Sequence, residues 1–188
     1  MKTNNKGFTL IELLVVITII TILATISIPQ FAKYRIRAYN VVALSDLRNL
    51  KVDLEAYYAD PGTGFRYPES LYGVQTGQGG WITNDQIIDY LEVAANRPTF
   101  VPSNSVEAYY GAATNGQVYV LGTKHTNGTS VYASTSHAGR IYVKTNEDWA
   151  GVSGTGTADM PTAPTEGTGV ESQAYKDSWF MGEGWTAI

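Results

Sequence analysis

The side chains equipped for acid–base, nucleophilic or metal chemistry are few in this 188-residue chain, and their spacing assembles no familiar reaction centre. There is no cysteine, which excludes a disulfide framework, a thiolate zinc site and a thiol nucleophile. The two histidines, His125 and His137, fall in or beside segments of hairpin-turn composition, where a polar ring serves the turn. No His-Glu-x-x-His, nucleophile-elbow or Ser-x-x-Lys pattern is present. The glycine-rich stretch Gly73–Gly80 reads as a loop and lacks the Gly-Lys-Ser/Thr ending of a phosphate cradle. A net charge of −4 provides no overall positive field for nucleic acid. The chain is therefore expected to be neither an enzyme nor a specific nucleic-acid binder.

One ionisable residue stands out by its position. Glu12 lies within Phe8–Ile28, a run otherwise apolar apart from threonine and serine, which follows a polar Met1–Gly7 carrying Lys2 and Lys6. As a helix rising about 1.5 Å per residue, this run spans roughly the 30 Å hydrocarbon core of a bilayer. The two lysines place the amino terminus on the cytoplasmic side, against a partial counter-bias from Lys33, Arg35 and Arg37. A secretory signal peptide would have a shorter apolar core ending in small residues, with no carboxylate in it. A permanent anchor accounts for the apolarity but leaves Glu12 without a partner, and a centrally placed acid costs about 2.5–3.5 kcal/mol. Cleavage before Phe8 supplies one, because the new α-amino group is a cation four residues away; a neighbouring copy can offer the same cation.

The segment Gly7-Phe8-Thr9-Leu10-Ile11-Glu12-Leu13-Leu14-Val15-Val16-Ile17 resembles the processing and assembly motif of type IV pilins and of the pseudopilins of type II secretion. The likeness continues through Ile28-Pro29-Gln30-Phe31 and Ala38-Tyr39-Asn40 to Asp46-Leu47-Arg48-Asn49-Leu50 and Tyr67-Pro68, about the first third of the chain. It implies that residues 1–7 are a leader, that a prepilin peptidase cuts between Gly7 and Phe8 and methylates Phe8, and that Glu12 pairs with the terminal amine of an adjacent subunit. It also implies an inner-membrane precursor with a cytoplasmic amino terminus, then an extracellular pilus built from copies of the chain by assembly machinery in the inner membrane. The filament would serve adhesion, twitching motility or uptake. Two alternatives stay open: a type II secretion pseudopilin, and an electron-conducting fibre using Phe8, Phe31, Tyr34, Tyr39, Tyr57 and Tyr58, whose plainer reading is packing. Thr21 departs from the family, where many members have glycine.

The remaining elements must position this segment, and the expected class is α+β: a long, kinked amino-terminal α-helix packed on an antiparallel β-sheet. The helix covers 8–59, with 8–28 its membrane and assembly part and 30–59 its amphipathic part; 60–188 form a β-rich globular domain. Ile36, Tyr39, Ala43, Leu47, Leu50, Leu54 and Tyr57 recur at three- and four-residue steps as one apolar stripe. Lys51 and Glu55 sit one turn apart on another, solvated face, and in a filament Lys33, Arg35 and Arg37 can meet Asp46, Asp53 or Glu55 of neighbours. Pro29 predicts a kink or loosened segment, with Thr21, Thr25 and Ser27 placed to rebond the freed carbonyls near Ala24 and Thr25. Asp60-Pro61-Gly62 ends the helix.

A short helix is expected over 85–95, begun by Thr83 or Asn84, and Gln117–Thr123, Ser130–Thr135 and Arg140–Thr145 read as a three-stranded meander. Its turns are Asn127-Gly128 and His137-Ala138-Gly139, and one sheet face covers the helix while the other meets solvent. Asn127-Gly128-Thr129 is also a glycosylation sequon. Gly151–Ser172 has surface-loop composition, and Trp179, Phe180, Met181 and Trp185 are expected to fold back on the sheet. The disulfide closing this region in many pilins is absent, so packing or an ion must hold it. Some pseudopilins hold calcium there, and Asp159, Glu166, Glu171, Asp177 and Glu183 supply hard oxygen donors. Their spacing matches no calcium loop and they read as solvated acids.

Overall fold

The computed structural model describes residues 7–72, 79–87, 101–113, 116–136, 140–154, 160, 180 and 184–188. The chain divides into two compact units, residues 1–35 and 36–188. Helix α1, Leu10–Ala59, is 50 residues long and runs without interruption through Pro29, so the loosened segment expected there is absent from the single subunit. Its end follows the predicted chemistry. The Asp60 carboxylate accepts the Gly62 N–H at 2.9 Å, a single 3-10 turn follows over Pro61–Thr63, and Gly64 takes the left-handed conformation (φ 67°) that a side chain would disfavour.

The second unit holds a six-stranded antiparallel sheet in which every strand pairs with its chain neighbours: β1 Gly80–Ile82, β2 Val106–Ala112, β3 Tyr119–His125, β4 Ser130–Thr135, β5 Tyr142–Thr145 and β6 Thr186–Ala187. Strands β3, β4 and β5 are the three expected from the sequence. Strands β1, β2 and β6 double the expected meander from three strands to six, and the register of β2 on β3 puts Glu107 opposite Lys124 and Tyr109 opposite Gly122. Thr83 caps the short helix at 84–87: its Oγ1 and N–H bracket Gln86 and its carbonyl accepts from Ile87 N–H. The rest of that predicted helix lies outside the described residues.

Alternation along the strands assigns two faces. Ala108, Tyr110, Ala112, Tyr119, Leu121 and Tyr132 pack with Ala43, Leu47, Leu50 and Leu54 of α1 in the main core. Each fully buried leucine contributes roughly 1.5–3 kcal/mol relative to exposure. The opposite face was expected to meet solvent, but every residue of β2, β3 and β4 is buried. Tyr109, Val120, Ala133 and Tyr142 pack there with Phe180, alongside Trp81, Met160 and Trp185, and Val131 packs with Trp149. Phe180 stacks on Tyr142 at 4.2 Å and meets Trp185 edge-on at 5.2 Å, so the carboxy-terminal aromatics do fold back. Gly122 is required beneath this layer, because a Cβ there would meet Met160 Cε and Tyr109 Cβ. Gly154, at the start of the expected surface loop, is buried against the Trp81 ring. Of the expected loop Gly73–Gly80, residues 73–78 lie outside the described residues and Gly80 instead opens strand β1, paired with Tyr110; the turn at His137, and Trp179 and Met181, also lie outside them.

Polar side chains fix the helix register on the sheet. The Asn40 amide oxygen accepts from Thr129 N–H and Ser130 N–H (2.9 and 3.2 Å), and its Nδ2 donates to Thr129 Oγ1 at 3.0 Å. Asp46 is buried and accepts from Ser103 N–H and Oγ, while Thr123 Oγ1 donates to the Ala43 carbonyl. Glu55 accepts from the Tyr67 and Tyr119 hydroxyls, and Lys51 Nζ donates to Ser134 Oγ. Asp46 and Glu55 are therefore engaged within their own subunit rather than offered to the basic residues of a neighbour. Lys51 and Glu55, expected on a solvated face, are half-buried and turned to the sheet.

The completely buried Lys124 is the most consequential polar residue of the unit. Its ammonium donates to the carbonyls of His125, Thr126, Trp149 and Val152 at 2.6–3.2 Å. Opposite it, Glu107 accepts from Ser153 Oγ and Gly154 N–H. Residues 149–154 are thus held through their backbone carbonyls and N–H groups by a buried ammonium and a buried carboxylate.

Burial lowers the Lys124 amine to about 8, against an opposing pull from Glu107. Its folded pKa thus lies below the unfolded value near 10.4. Between these values the unfolded chain binds more protons, so this residue's contribution to stability grows as pH rises through the window. Denaturant titrations from pH 8 to 9.5 are expected to show a positive slope that Lys124→Met abolishes. The variant, leaving buried carbonyls without a donor, should also lose at least about 1–3 kcal/mol.

Candidate assembly site at the amino terminus

The first unit carries the motif singled out in the sequence. Gly7 and Phe8 precede the helix and are exposed, with Phe8 81% exposed. Thr9 occupies the N-cap. Its N–H and its hydroxyl both donate to Glu12 Oε2, at 2.9 and 2.7 Å, and Glu12 N–H donates back to Thr9 Oγ1 at 3.3 Å. This is a capping box: threonine and glutamate three apart satisfy each other's orphan backbone donors at a helix start. The partner expected for Glu12 was an α-amino group, whereas the subunit supplies the Thr9 hydroxyl three residues earlier. In the single subunit the carboxylate is already hydrogen-bonded.

From Phe8 to Phe31 every large apolar side chain is exposed, by 48% to 88%. Among the described residues one helix, α1, is long and apolar enough to cross a membrane, and its apolar window is unburied. The β-branched hydroxyls tie back into the helix: Thr18, Thr21 and Thr25 donate to the carbonyls of Leu14, Ile17 and Thr21 at 2.7–2.8 Å. This corrects the expected role of Thr21 and Thr25. Proline at 29 removes the donor for the Thr25 carbonyl, and these two hydroxyls bond carbonyls one and two turns before it. Such back-bonding keeps each hydroxyl satisfied in an apolar surrounding.

The other sequence-predicted positions fall elsewhere. His125 is buried on β3, stacked on Tyr39 at 4.3 Å, with Nδ1 accepting the Asn127 N–H at 3.1 Å. Burial, with Lys124 beside it, lowers its pKa, so the ring is a neutral turn acceptor near neutral pH. Asn127 is exposed at the β3–β4 turn, whereas its sequon partner Thr129 is buried and bonded to Asn40. Asp159, Glu166, Glu171, Asp177, Glu183 and His137 lie outside the described residues. Among the described residues no group of three or more His, Cys, Asp or Glu side chains is placed to hold a metal ion.

Comparison with known proteins falls on this same segment. Residues 2–28 match the prokaryotic N-terminal methylation motif. The chain is similar to the type IV major fimbrial protein FimA of Dichelobacter nodosus, at 41% identity over 64 residues, covering 34% of this chain and 41% of that protein. It is similar to the type IV major pilin protein PilA of Myxococcus xanthus, at 41% over 57 residues, covering 30% and 26%. It is also similar to the type IV major pilin protein PilE1 of Neisseria gonorrhoeae, at 39% over 70 residues, covering 37% and 41%. These matches span between about a quarter and two fifths of each relative's length. The likeness is confined to the amino-terminal third of this chain, which is similar to that of type IV major pilins and fimbrial proteins and leads into the second unit.

Removing the Thr9 hydroxyl is expected to weaken the first turn of α1 by about 1 kcal/mol, the usual cost of losing an N-cap. Amide hydrogen exchange of Thr9→Ala in detergent micelles should show faster exchange confined to residues 9–13, with the rate at Leu50 unchanged.

Proposed function

We propose that this chain is the structural subunit of a type IV pilus, polymerising into an extracellular filament. The observation that carries the reading is the fully exposed apolar helix surface from Phe8 to Phe31, headed by a carboxylate, on the segment that matches the N-terminal methylation motif. A surface of this kind is stable only in lipid or against other copies of itself. The named relatives are pilins and fimbrial proteins, which favours a pilus over a secretion pseudopilus.

The precursor sits in the inner membrane with Lys2 and Lys6 on the cytoplasmic side, and prepilin peptidase cuts after Gly7, leaving Phe8 as the methylated first residue. The new amine lies next to the Thr9–Glu12 box. In the bilayer Glu12 is held by Thr9; in the filament its carboxylate turns to the amine of the adjacent subunit, where a charged pair offsets desolvation and fixes axial register. Leaving the bilayer, the turn before Pro29 opens, because the Thr25 carbonyl has no backbone donor and the β-branched run Ile17–Ile22 adds little helix propensity. Extended backbone rises roughly twice as far per residue as helix, so a short opening lengthens the subunit and lets globular units find their packing. Glycan attachment at Asn127 requires the sequon to be open, before Thr129 docks on Asn40.

Mass spectrometry of filaments sheared from the surface should find a first residue Phe8 carrying one added methyl group; material beginning at Met1 or near Ser27 is incompatible with the reading. Glu12→Ala is expected to be cleaved and inserted normally yet to yield few filaments, scored by sheared pilin per cell; a wild-type yield would remove Glu12 from assembly. A filament map at side-chain resolution is expected to show non-helical backbone just before Pro29, and unbroken helix there would exclude the opening.

A further inference from the structure

The globular unit contains a cluster of four tyrosines whose packing and register-fixing bonds leave one feature unused, the different chemistry of their hydroxyl acceptors. Tyr58 stacks on Tyr67 with ring centroids 4.6 Å apart, Tyr67 meets Tyr119 edge-on at 4.6 Å, and Tyr119 lies 6.3 Å from Tyr110. Tyr67, Tyr119 and Tyr110 are buried, whereas Tyr58 is half-buried and reaches solvent. The four rings are thus a contiguous path from the surface into the core.

Their hydroxyls differ in one respect. A phenol has one proton to donate, and Tyr58 donates it to the neutral Gln117 amide oxygen at 3.1 Å, Tyr110 to the Pro68 carbonyl at 2.6 Å. Neither acceptor is a base. Tyr67 and Tyr119 donate to the two oxygens of one carboxylate, Glu55 Oε2 at 2.7 Å and Oε1 at 3.0 Å. Both distances are within the reach required for direct proton transfer. A one-electron-oxidised phenol is a strong acid, so a tyrosine is far easier to oxidise when a base can take its proton as the electron leaves.

We propose that Glu55, Tyr67 and Tyr119 form a proton-coupled redox site that draws an oxidising equivalent from the surface through Tyr58 and stores it as a neutral tyrosyl radical. In the step, an outer-sphere one-electron oxidant of the carbonate-radical class takes an electron from Tyr58, whose proton stays in its hydrogen bond to Gln117 Oε1. Tyr67 returns that electron to Tyr58 across the stacked rings while its hydroxyl proton passes to Glu55 Oε2. The products are the reduced oxidant, intact Tyr58, a neutral Tyr67 radical and a protonated Glu55. A small-molecule thiol or enediol reductant reverses the step by supplying one electron, and the proton returns from Glu55. Tyr119 is the second seat of the radical, since it donates to the same carboxylate. The path ends at Tyr110, so the site is a trap for oxidising equivalents and not a wire along the filament. Burial together with the Glu55 charge raises the pKa of both Tyr67 and Tyr119, so both rings rest as phenols.

The site lies wholly in the second unit and does not depend on filament formation. Full-length protein in detergent micelles, flash-oxidised with a ruthenium tris-bipyridine photo-oxidant and persulfate, is expected to give a long-lived neutral tyrosyl radical by electron paramagnetic resonance, with a solvent deuterium isotope effect on its formation. Glu55→Gln should slow formation about a hundredfold, the usual contribution of a positioned base. Tyr67→Phe with Tyr119→Phe should abolish the long-lived signal, and Tyr110→Phe should leave it unchanged. A wild-type rate in Glu55→Gln, or a persistent signal in the folded double variant, overturns the proposal. Should either variant fail to fold by circular dichroism, the isotope effect on wild-type protein decides: its absence overturns the proposal as well.

Discussion

Apolar helix surface that the chain itself leaves uncovered is the constraint on which the rest depends. Between Phe8 and Phe31 no large apolar side chain is less than 48% exposed, and at about 25 cal/mol per Å² such a surface cannot be left in water. Lipid and a bundle of identical helices both cover it, and lipid tails are as apolar as leucine, so the hydrophobic effect scarcely distinguishes the two. Passage from one to the other must be decided by packing and by the few polar groups present. Thr18, Thr21 and Thr25 are satisfied within the helix and are neutral in that choice. Glu12 is the exception: its carboxylate is held by the Thr9 capping box, and it is the one side chain of the Phe8–Ile28 run that can carry a charge.

The second unit solves a different problem, how a helix lies on a sheet in one register. Leucines at 47, 50 and 54 supply the burial, but leucine contacts tolerate sliding by a turn. Asn40 on Thr129 and Ser130, Asp46 on Ser103, Lys51 on Ser134 and Glu55 on two tyrosines do not. Each removes a specific pair of polar groups from water, and a shift would leave them all buried without partners, at about 1–3 kcal/mol apiece. The same arrangement withdraws Asp46 and Glu55 from contacts with other copies.

What the sequence made legible follows from how local its signals are. The stripe from Ala43 to Leu54, the Asp60-Pro61-Gly62 stop and strands β3 to β5 carry their own periodicity or turn chemistry, and each appears where expected. Strand β2, Val-Glu-Ala-Tyr-Tyr-Gly-Ala, was not legible: with both faces buried it has no polar alternation, and alanine, glycine and glutamate are weak strand formers. Strands β1 and β6 are too short to carry a period. At the candidate site Glu12 is legible as an acid in an apolar run, and the expectations for Gly7 and Phe8 come from the resemblance to type IV pilins. The threonine-to-glutamate spacing that signals a capping box was equally visible but was masked by the expected cation. Lys124 could not be found, since a lysine amid strand residues reads as a solvated edge and its four acceptors come from backbone up to 28 residues away.

Lys124 also shows how a chain without cysteine fastens its carboxy-terminal region. A disulfide acts largely by restricting the unfolded chain, so its effect is present before any native contact forms. The ammonium acts on the native state alone: it gathers carbonyls from the β3–β4 turn and from Trp149 and Val152, while Glu107 on the neighbouring strand holds Ser153 and Gly154. Pulling 149–154 away therefore exposes a cation and an anion, both buried and both stripped of partners, in one event. Breaking one side of such an arrangement costs more than the contacts formed, because the opposite charge stays buried. The segment is thus held cooperatively, closed or fully open, and its closure is indifferent to the redox state of the surroundings.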